Sequence, residues 1–271
     1  MALVQLTFES KALHRQTTIN VVLPMDKYYK NRDNYVEHPL KTLYLLHGYN
    51  GNFTDWNNNT RVQRWAVERN LVLVMPSGDN SFYVDKQGAD YGKFIGEELV
   101  EVTRRFFHLS RNREDTFIGG FSMGGYGALR NGMKYADTFS HVICLSSACG
   151  MFDKIGAEKY GSGMTSEDDF MLSLEQFKDT DRNPDVLIAD LVERKKNDPD
   201  FTLPRFYVSC GLQDGLIEDN SRFRDKLVKA GFDVTYYEGE GGHEWFFWDR
   251  EIKKIFDDFL PLEKNYNEIF Y

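Results

Sequence analysis

Short apolar runs alternate with amphipathic stretches along the chain, in the rhythm strand, helix, strand. Leu3 to Phe8 and Thr17 to Leu23 read as strands of antiparallel-edge character, the second stopped by Pro24. Met25 to Pro39 is a polar, tyrosine-rich connection. Thr42–Leu46, Leu71–Met75, Thr116–Ile118, the run leading through His141 to Leu145, Arg205–Gly211 and Phe232–Tyr237 read as further strands. Several are apolar throughout, as strands covered on both faces are. Helical spacing recurs between them. It covers Val62–Arg69, Phe94–Phe107 (Phe94, Ile95, Leu99, Val102, Phe106), Leu129–Lys134, Pro184–Asn197 and Trp248–Phe256. The alternation predicts one α/β domain over residues 1–271, with a mostly parallel central sheet and helices on both faces. A stretch from about 151 to 203 interrupts it: loop marked by Gly156, Gly161 and Gly163, then a helix that opens on Pro184. Its place in the chain predicts a modest cap over the carboxyl ends of the strands.

The sharpest local signal lies just after Thr116–Ile118, where Gly119-Gly120-Phe121-Ser122-Met123-Gly124-Gly125-Tyr126-Gly127-Ala128 contains G-x-S-x-G. A strand that turns abruptly into a helix strains the turn residue and leaves no room for side chains beside it. Glycines two before and two after Ser122 meet that demand, and the hydroxyl then stands at a helix N-terminus that favours negative charge. Without partners the segment would be only a glycine-rich turn. A nucleophilic serine needs a base, an acid to orient the base, and an oxyanion hole.

On such a fold the chain order is serine, acid, histidine. Downstream of Ser122 only His141 and His243 remain. His141 lies at a strand start and reads as a surface or strand-edge histidine. His243 lies in the glycine loop after the last strand, where the base belongs. Asp214 is the first carboxylate after Arg205–Gly211, and Gly215 lets the chain bend it toward the histidine. Glu218 and Asp219 open the next helix and read as capping and dipole-compensating groups. The oxyanion donors are expected to be the backbone N–H groups of Met123 and of Tyr49, which follows the strand end His47-Gly48. His47 precedes the serine and reads as structural.

Three motifs together resemble the esterase D group of α/β-hydrolases: Leu45-Leu46-His47-Gly48-Tyr49-Asn50-Gly51-Asn52, the Ser122 segment, and Gly241-Gly242-His243-Glu244-Trp245. That group includes S-formylglutathione hydrolases, tributyrin esterases, and acetylxylan and feruloyl esterases. The bacterial tributyrin type is the closest likeness, with Phe232-Asp233-Val234-Thr235-Tyr236 and Trp248 adding to it. The resemblance runs from about residue 3 to about residue 260 and implies the α/β-hydrolase fold and a Ser-His-Asp triad. It says little about the substrate, because 151–203 matches no family pattern.

The expected activity is hydrolysis of short-chain or small aromatic acyl esters through an acyl-enzyme, with no metal and no cofactor. The alternatives are a thioester or carbohydrate acyl esterase, an acyltransferase like the related mycolyltransferases, or an inactive fold used for binding. Phe82 and Tyr83, in the loop Ser77–Ala89, are expected at the mouth of the site. Trp245, Phe246 and Trp248 would narrow the histidine side. Phe152, Met164, Phe170, Met171 and Phe177 would line an acyl pocket, or else anchor the cap to the body.

Composition adds exclusions. The 271 residues are 41% hydrophobic and 15% aromatic, and the net charge is −9. So acidic a chain is not built for nucleic acid or for an anionic membrane. The N-terminus lacks the basic and apolar regions of a signal peptide, which makes a cytoplasmic location the expectation. Cys144, Cys149 and Cys210 lack zinc-type spacing and read as reduced core thiols, though a Cys144–Cys149 bridge is conceivable. The 15 tyrosines fit a homo-oligomer interface no better than they fit a pocket.

Overall fold

The computed structural model describes residues 1–25, 38–155 and 174–262. Ten strands are present among them: β1 (Ala2–Ser10), β2 (Arg15–Leu23), β3 (Lys41–Leu46), β4 (Leu71–Pro76), β5 (Asp85–Lys86), β6 (Ala89–Asp90), β7 (Thr116–Phe121), β8 (His141–Leu145), β9 (Arg205–Gly211) and β10 (Val234–Gly239). Eight form one sheet in the order β1-β2-β4-β3-β7-β8-β9-β10, while β5 and β6 pair separately. Every pairing from β4 across to β10 is parallel. The first two strands are antiparallel, as their pattern predicts, but β2 lies between β1 and β4, so of these two only β1 is an edge.

Successive strand side chains alternate between faces, and each face builds its own core. Tyr44, Val72, Val74, Ile118, Val142, Phe206 and Val208 face one way. They meet the helical run from Tyr91 to Phe106, the elbow helix Met123–Lys134, and the helices Pro184–Asn197 and Ile217–Lys229. Leu43, Leu45, Leu71, Leu73, Phe117, Ile143 and Tyr207 face the other way. There they meet Val62–Glu68 and the terminal helix Trp245–Lys254, which continues to Phe259. The doubly covered sheet is the α/β-hydrolase architecture.

Two boundaries differ from the periodicity, each for a local reason. Phe232 opens no strand: Gly231 is left-handed at φ 87°, and the Phe232 N–H closes the preceding helix on the Leu227 carbonyl at 3.1 Å. The elbow helix begins at Met123, well before Leu129. Its glycines are poor helix formers, but close packing demands them. A Cβ at Gly124 would lie 2.4 Å from the His47 carbonyl oxygen and 2.6 Å from that of Leu46, and one at Gly120 would lie 2.5 Å from the Gly124 oxygen. These contacts are backbone against backbone and cannot be relieved by a rotamer change. Gly124→Ala is therefore expected to destabilise the fold by about 2–3 kcal/mol, read in thermal denaturation as a midpoint lowered by roughly 5–10 °C.

Of the stretch 151–203, residues 156–173 lie outside the described residues, and with them Met164 and Phe170. Helix Pro184–Asn197 buries Leu187, Ile188 and Leu191 in the core. The loop before it is tied to the elbow helix, with Asp181 paired to Arg130 and Lys134 and the Tyr126 hydroxyl donating to the Arg182 carbonyl at 2.5 Å. All three cysteines are free and buried. Among the described residues no helix is long and apolar enough to cross a membrane.

Candidate active site

The carboxyl ends of β3, β7, β9 and β10 converge on one point, and each delivers one of the expected groups. Ser122 follows β7 and has φ 55° and ψ −120°. Its N–H donates to the Leu145 carbonyl at 2.9 Å, and its own carbonyl accepts from Tyr126 and Ala148 at 3.1 Å each. Bonds on both sides hold a conformation that a residue with a side chain rarely adopts.

His243 Nε2 lies 2.9 Å from Ser122 Oγ, and His243 Nδ1 lies 2.9 Å from Asp214 Oδ2. A carboxylate can only accept, so the ring proton sits on Nδ1 and Nε2 is left to accept from the serine hydroxyl. Asp214 is buried, and its Oδ1 accepts the Leu216 N–H at 2.9 Å. Burial alone would raise its pKa. The hydrogen bond and charge of His243, with the Leu216 N–H and the Ser146 hydroxyl, outweigh burial and hold it below the usual carboxylate range.

The acid and histidine loops are fastened together through Gln213. Gln213 N–H donates to the Gly241 carbonyl at 3.0 Å, and Gly241 N–H donates to the Gln213 side-chain oxygen at 2.8 Å. A Cβ at Gly211 would lie 2.1 Å from the Gly241 oxygen, so the two loops meet as bare backbone. Nothing in the sequence pattern singled out Gln213.

Tyr49 and Met123 both line the cavity onto which Ser122 opens. The Tyr49 loop is braced from two sides. Asn50, at φ 61°, exchanges two hydrogen bonds with Asn80, at 2.7 and 2.9 Å. His47 accepts the Gly78 N–H at Nε2 (2.8 Å) and donates from Nδ1 to the Gly48 carbonyl (2.7 Å). Burial pushes the His47 pKa down, so it is a neutral strut between two loops. His141, expected at the surface or a strand edge, is instead buried: β8 is an inner strand, and at its amino end, opposite Ser122, the ring packs between those of Phe117 and Phe259.

The cavity has a volume of about 730 Å³. Its apolar walls are Tyr49, Phe82, Phe121, Met123, Met151, Leu216, Trp245 and Trp248, and its charged and amide groups are Asn50, Asp55, Lys154, Asp219 and Glu244. Of the four expected substrate contacts, Phe82 and Trp245 are in the wall; Tyr83 and Phe152 are not. Phe82 and Tyr83 have φ 51° and 57°, and this kink sends the adjacent rings to different places. Tyr83 is fully buried, with its hydroxyl donating to the His47 carbonyl at 3.0 Å. Phe152 is buried in the core, and its neighbours Met151 and Lys154 reach the cavity instead. Phe177 packs under the Arg182 guanidinium at 3.5 Å. Met164, Phe170 and Met171 lie outside the described residues.

Asp219, expected to serve its helix, pairs with Arg222 in the same helix but also with Lys154 at 2.5 Å across the cavity wall. Lys154 carried no signal in the sequence. Among the described residues no group of three or more His, Cys, Asp or Glu side chains could hold a metal ion.

A family model described as putative esterase matches residues 10–259. An acetyl esterase of Caldicellulosiruptor saccharolyticus is 40% identical over 264 residues, spanning 95% of this chain and 97% of that protein. The crystal structure of an S-formylglutathione hydrolase from Staphylococcus aureus is 30% identical and superposes with a TM-score of 0.78, covering 94% of this chain and 97% of the other. A ferulic acid esterase shares the fold at 22% identity, with a TM-score of 0.74 over 94% of this chain and 96% of its own.

Proposed function

The chain belongs to the putative esterase family of carboxylic ester hydrolases, and from that premise we propose that it hydrolyses short-chain or small aromatic acyl esters through Ser122, His243 and Asp214. The observation that carries this reading is the pair of 2.9 Å links running from Ser122 through His243 to Asp214, opening onto the cavity.

Ser122 Oγ attacks the ester carbonyl carbon while His243 Nε2 takes its proton. The carbonyl oxygen becomes an oxyanion, which the N–H groups of Met123 and Tyr49 receive. Asp214 keeps the Nδ1 proton in place and stabilises the imidazolium without taking the proton. His243 then gives its proton to the departing alcohol, leaving an acyl group on Ser122. Water, deprotonated by the same histidine, attacks that ester; the acid leaves as His243 returns the proton to the Ser122 oxygen.

The proposed range draws on the cavity walls for the aromatic acids and on one relative for the short acids. Phe82, Met123, Met151, Trp245 and Trp248 bound a cavity of about 730 Å³ with bulky side chains. Such walls suit a flat ring stacked on aromatics, the aromatic part of the proposed range. The relative named acetyl esterase agrees with the short end of that range. Specificity constants along an acyl series from acetyl to palmitoyl, with feruloyl esters and S-formylglutathione included, test it. The expected maximum lies at acetyl to butyryl. A maximum at decanoyl or longer rejects the short-acyl reading, one on feruloyl moves the reading to aromatic acids, and one on S-formylglutathione moves it to thioesters.

A further inference from the structure

We infer that Asn220 is a positioning residue for the nucleophile and the acid together: its buried side-chain amide clamps the turn behind Ser122 to the turn that carries Asp214. The inference rests on the triad reading proposed above and extends it one layer inward.

Asn220 lies in the first turn of the helix Ile217–Lys229 and is fully buried. A polar side chain so placed needs a partner for each of its polar atoms. Its Oδ1 accepts the Ser147 N–H at 3.0 Å. Its Nδ2 donates to the Ser147 carbonyl and to the Leu216 carbonyl, at 2.9 Å each. One acceptor facing a donor, and two donors facing acceptors, fix which way the amide is turned. Both backbone polar groups of Ser147 are thereby tied to one side chain, which reaches them across 73 residues of chain.

Each end of the clamp leads directly to the triad. The Ser147 carbonyl and the Ala148 N–H belong to one planar peptide, so holding the first aims the second. That N–H donates to the Ser122 carbonyl at 3.1 Å and is one of the bonds that keep the nucleophile at φ 55°. At the other end, Leu216 is the residue whose N–H donates to Asp214 Oδ1 at 2.9 Å. Its carbonyl also accepts the Asn220 backbone N–H at 3.0 Å, so Asn220 grips it twice. The histidine loop is joined to the acid loop separately, through Gln213 and Gly241. One amide therefore sets the spacing between nucleophile and acid, a distance that the two 2.9 Å links through His243 must span.

The test uses Asn220→Asp and Asn220→Ser in the full chain, with Thr103→Ala as a stability control. Aspartate keeps the shape and the bond from the Ser147 N–H, but sets an acceptor against the Ser147 and Leu216 carbonyls. Serine cannot reach across, and its smaller volume leaves room for a water on the freed backbone groups, so it folds where aspartate does not. Thr103 is also fully buried and bonded, to Tyr44 and the Leu99 carbonyl, on the helix Leu99–Phe106, which does not line the cavity. Titration to completion with an alkyl fluorophosphonate counts the chains with a competent Ser122, and ester turnover is divided by that count. A side chain that only stabilises the fold changes the count or the melting temperature. One that positions the triad changes turnover per counted site. The expected result is a kcat per site lowered by about ten- to a hundred-fold in both Asn220 variants, with KM within about three-fold. Thr103→Ala should lower the melting temperature and keep kcat per site. A kcat per site within about two-fold of the unmodified chain, in a folded Asn220 variant, overturns the inference. So does a loss per site in Thr103→Ala that matches theirs. If the unmodified chain is labelled at a residue other than Ser122, the triad reading has failed instead, and the two failures are told apart.

Discussion

Ser122→Ala is expected to lower kcat by about 10⁵- to 10⁶-fold while leaving the melting temperature within a degree or two. Alanine keeps the Cβ, and the backbone bonds that hold Ser122 at φ 55° involve only its N–H and carbonyl, so the elbow has no cause to relax. What is lost is the single oxygen 2.9 Å from His243 Nε2. The oxyanion donors and the cavity remain, and they account for whatever residual rate is seen over the uncatalysed reaction. Steady-state rates on an acetyl ester, with thermal denaturation on the same samples, separate loss of chemistry from loss of fold.

His243→Ala is expected to cost about as much, and the double variant with Ser122→Ala about the same as either alone, because the two side chains act as one unit. The histidine side chain is 39% exposed, and its loop is held by Gln213 and Gly241 rather than by the ring, so the variant should fold. Asp214→Asn should cost less than either, since asparagine still accepts a hydrogen bond but no longer offsets the imidazolium charge. Asp219→Asn is the informative contrast. Asp219 is also buried, but its ion-pair partners are Lys154 and Arg222. If Asp219→Asn lost activity while Asp214→Asn kept it, the acid would have to be reassigned.

The parts of this arrangement that sequence reveals are those with a regular frame. Leu43/Tyr44, Val72/Leu73 and Val142/Ile143 alternate between the two cores, so strand identity and double coverage follow from the residues alone. Ser122, Asp214 and His243 each stand just past a strand, where topology leaves few rivals. Orientation within irregular backbone follows no period. Phe82 and Tyr83 are neighbours with similar φ and both are fully buried, yet Phe82 lines the cavity while Tyr83 reaches the His47 carbonyl. Met151 and Phe152 divide in the same way. The Lys154–Asp219 pair joins residues far apart in the chain, and the clamp of Asn220 on Ser147 depends on how the helix Ile217–Lys229 lies against the end of β8. Such couplings exist only once the sheet order is known.

The central claim is that Ser122 is the nucleophile and His243 its base, and covalent labelling tests it most directly. An alkyl fluorophosphonate phosphonylates an activated serine with loss of fluoride. Intact-mass measurement and peptide mapping then locate the label. The account predicts one phosphonyl group per chain, carried on Ser122, absent in Ser122→Ala and formed far more slowly in His243→Ala. A label on another residue that tracks the loss of activity would contradict it, as would full esterase activity in a chain whose Ser122 is already phosphonylated.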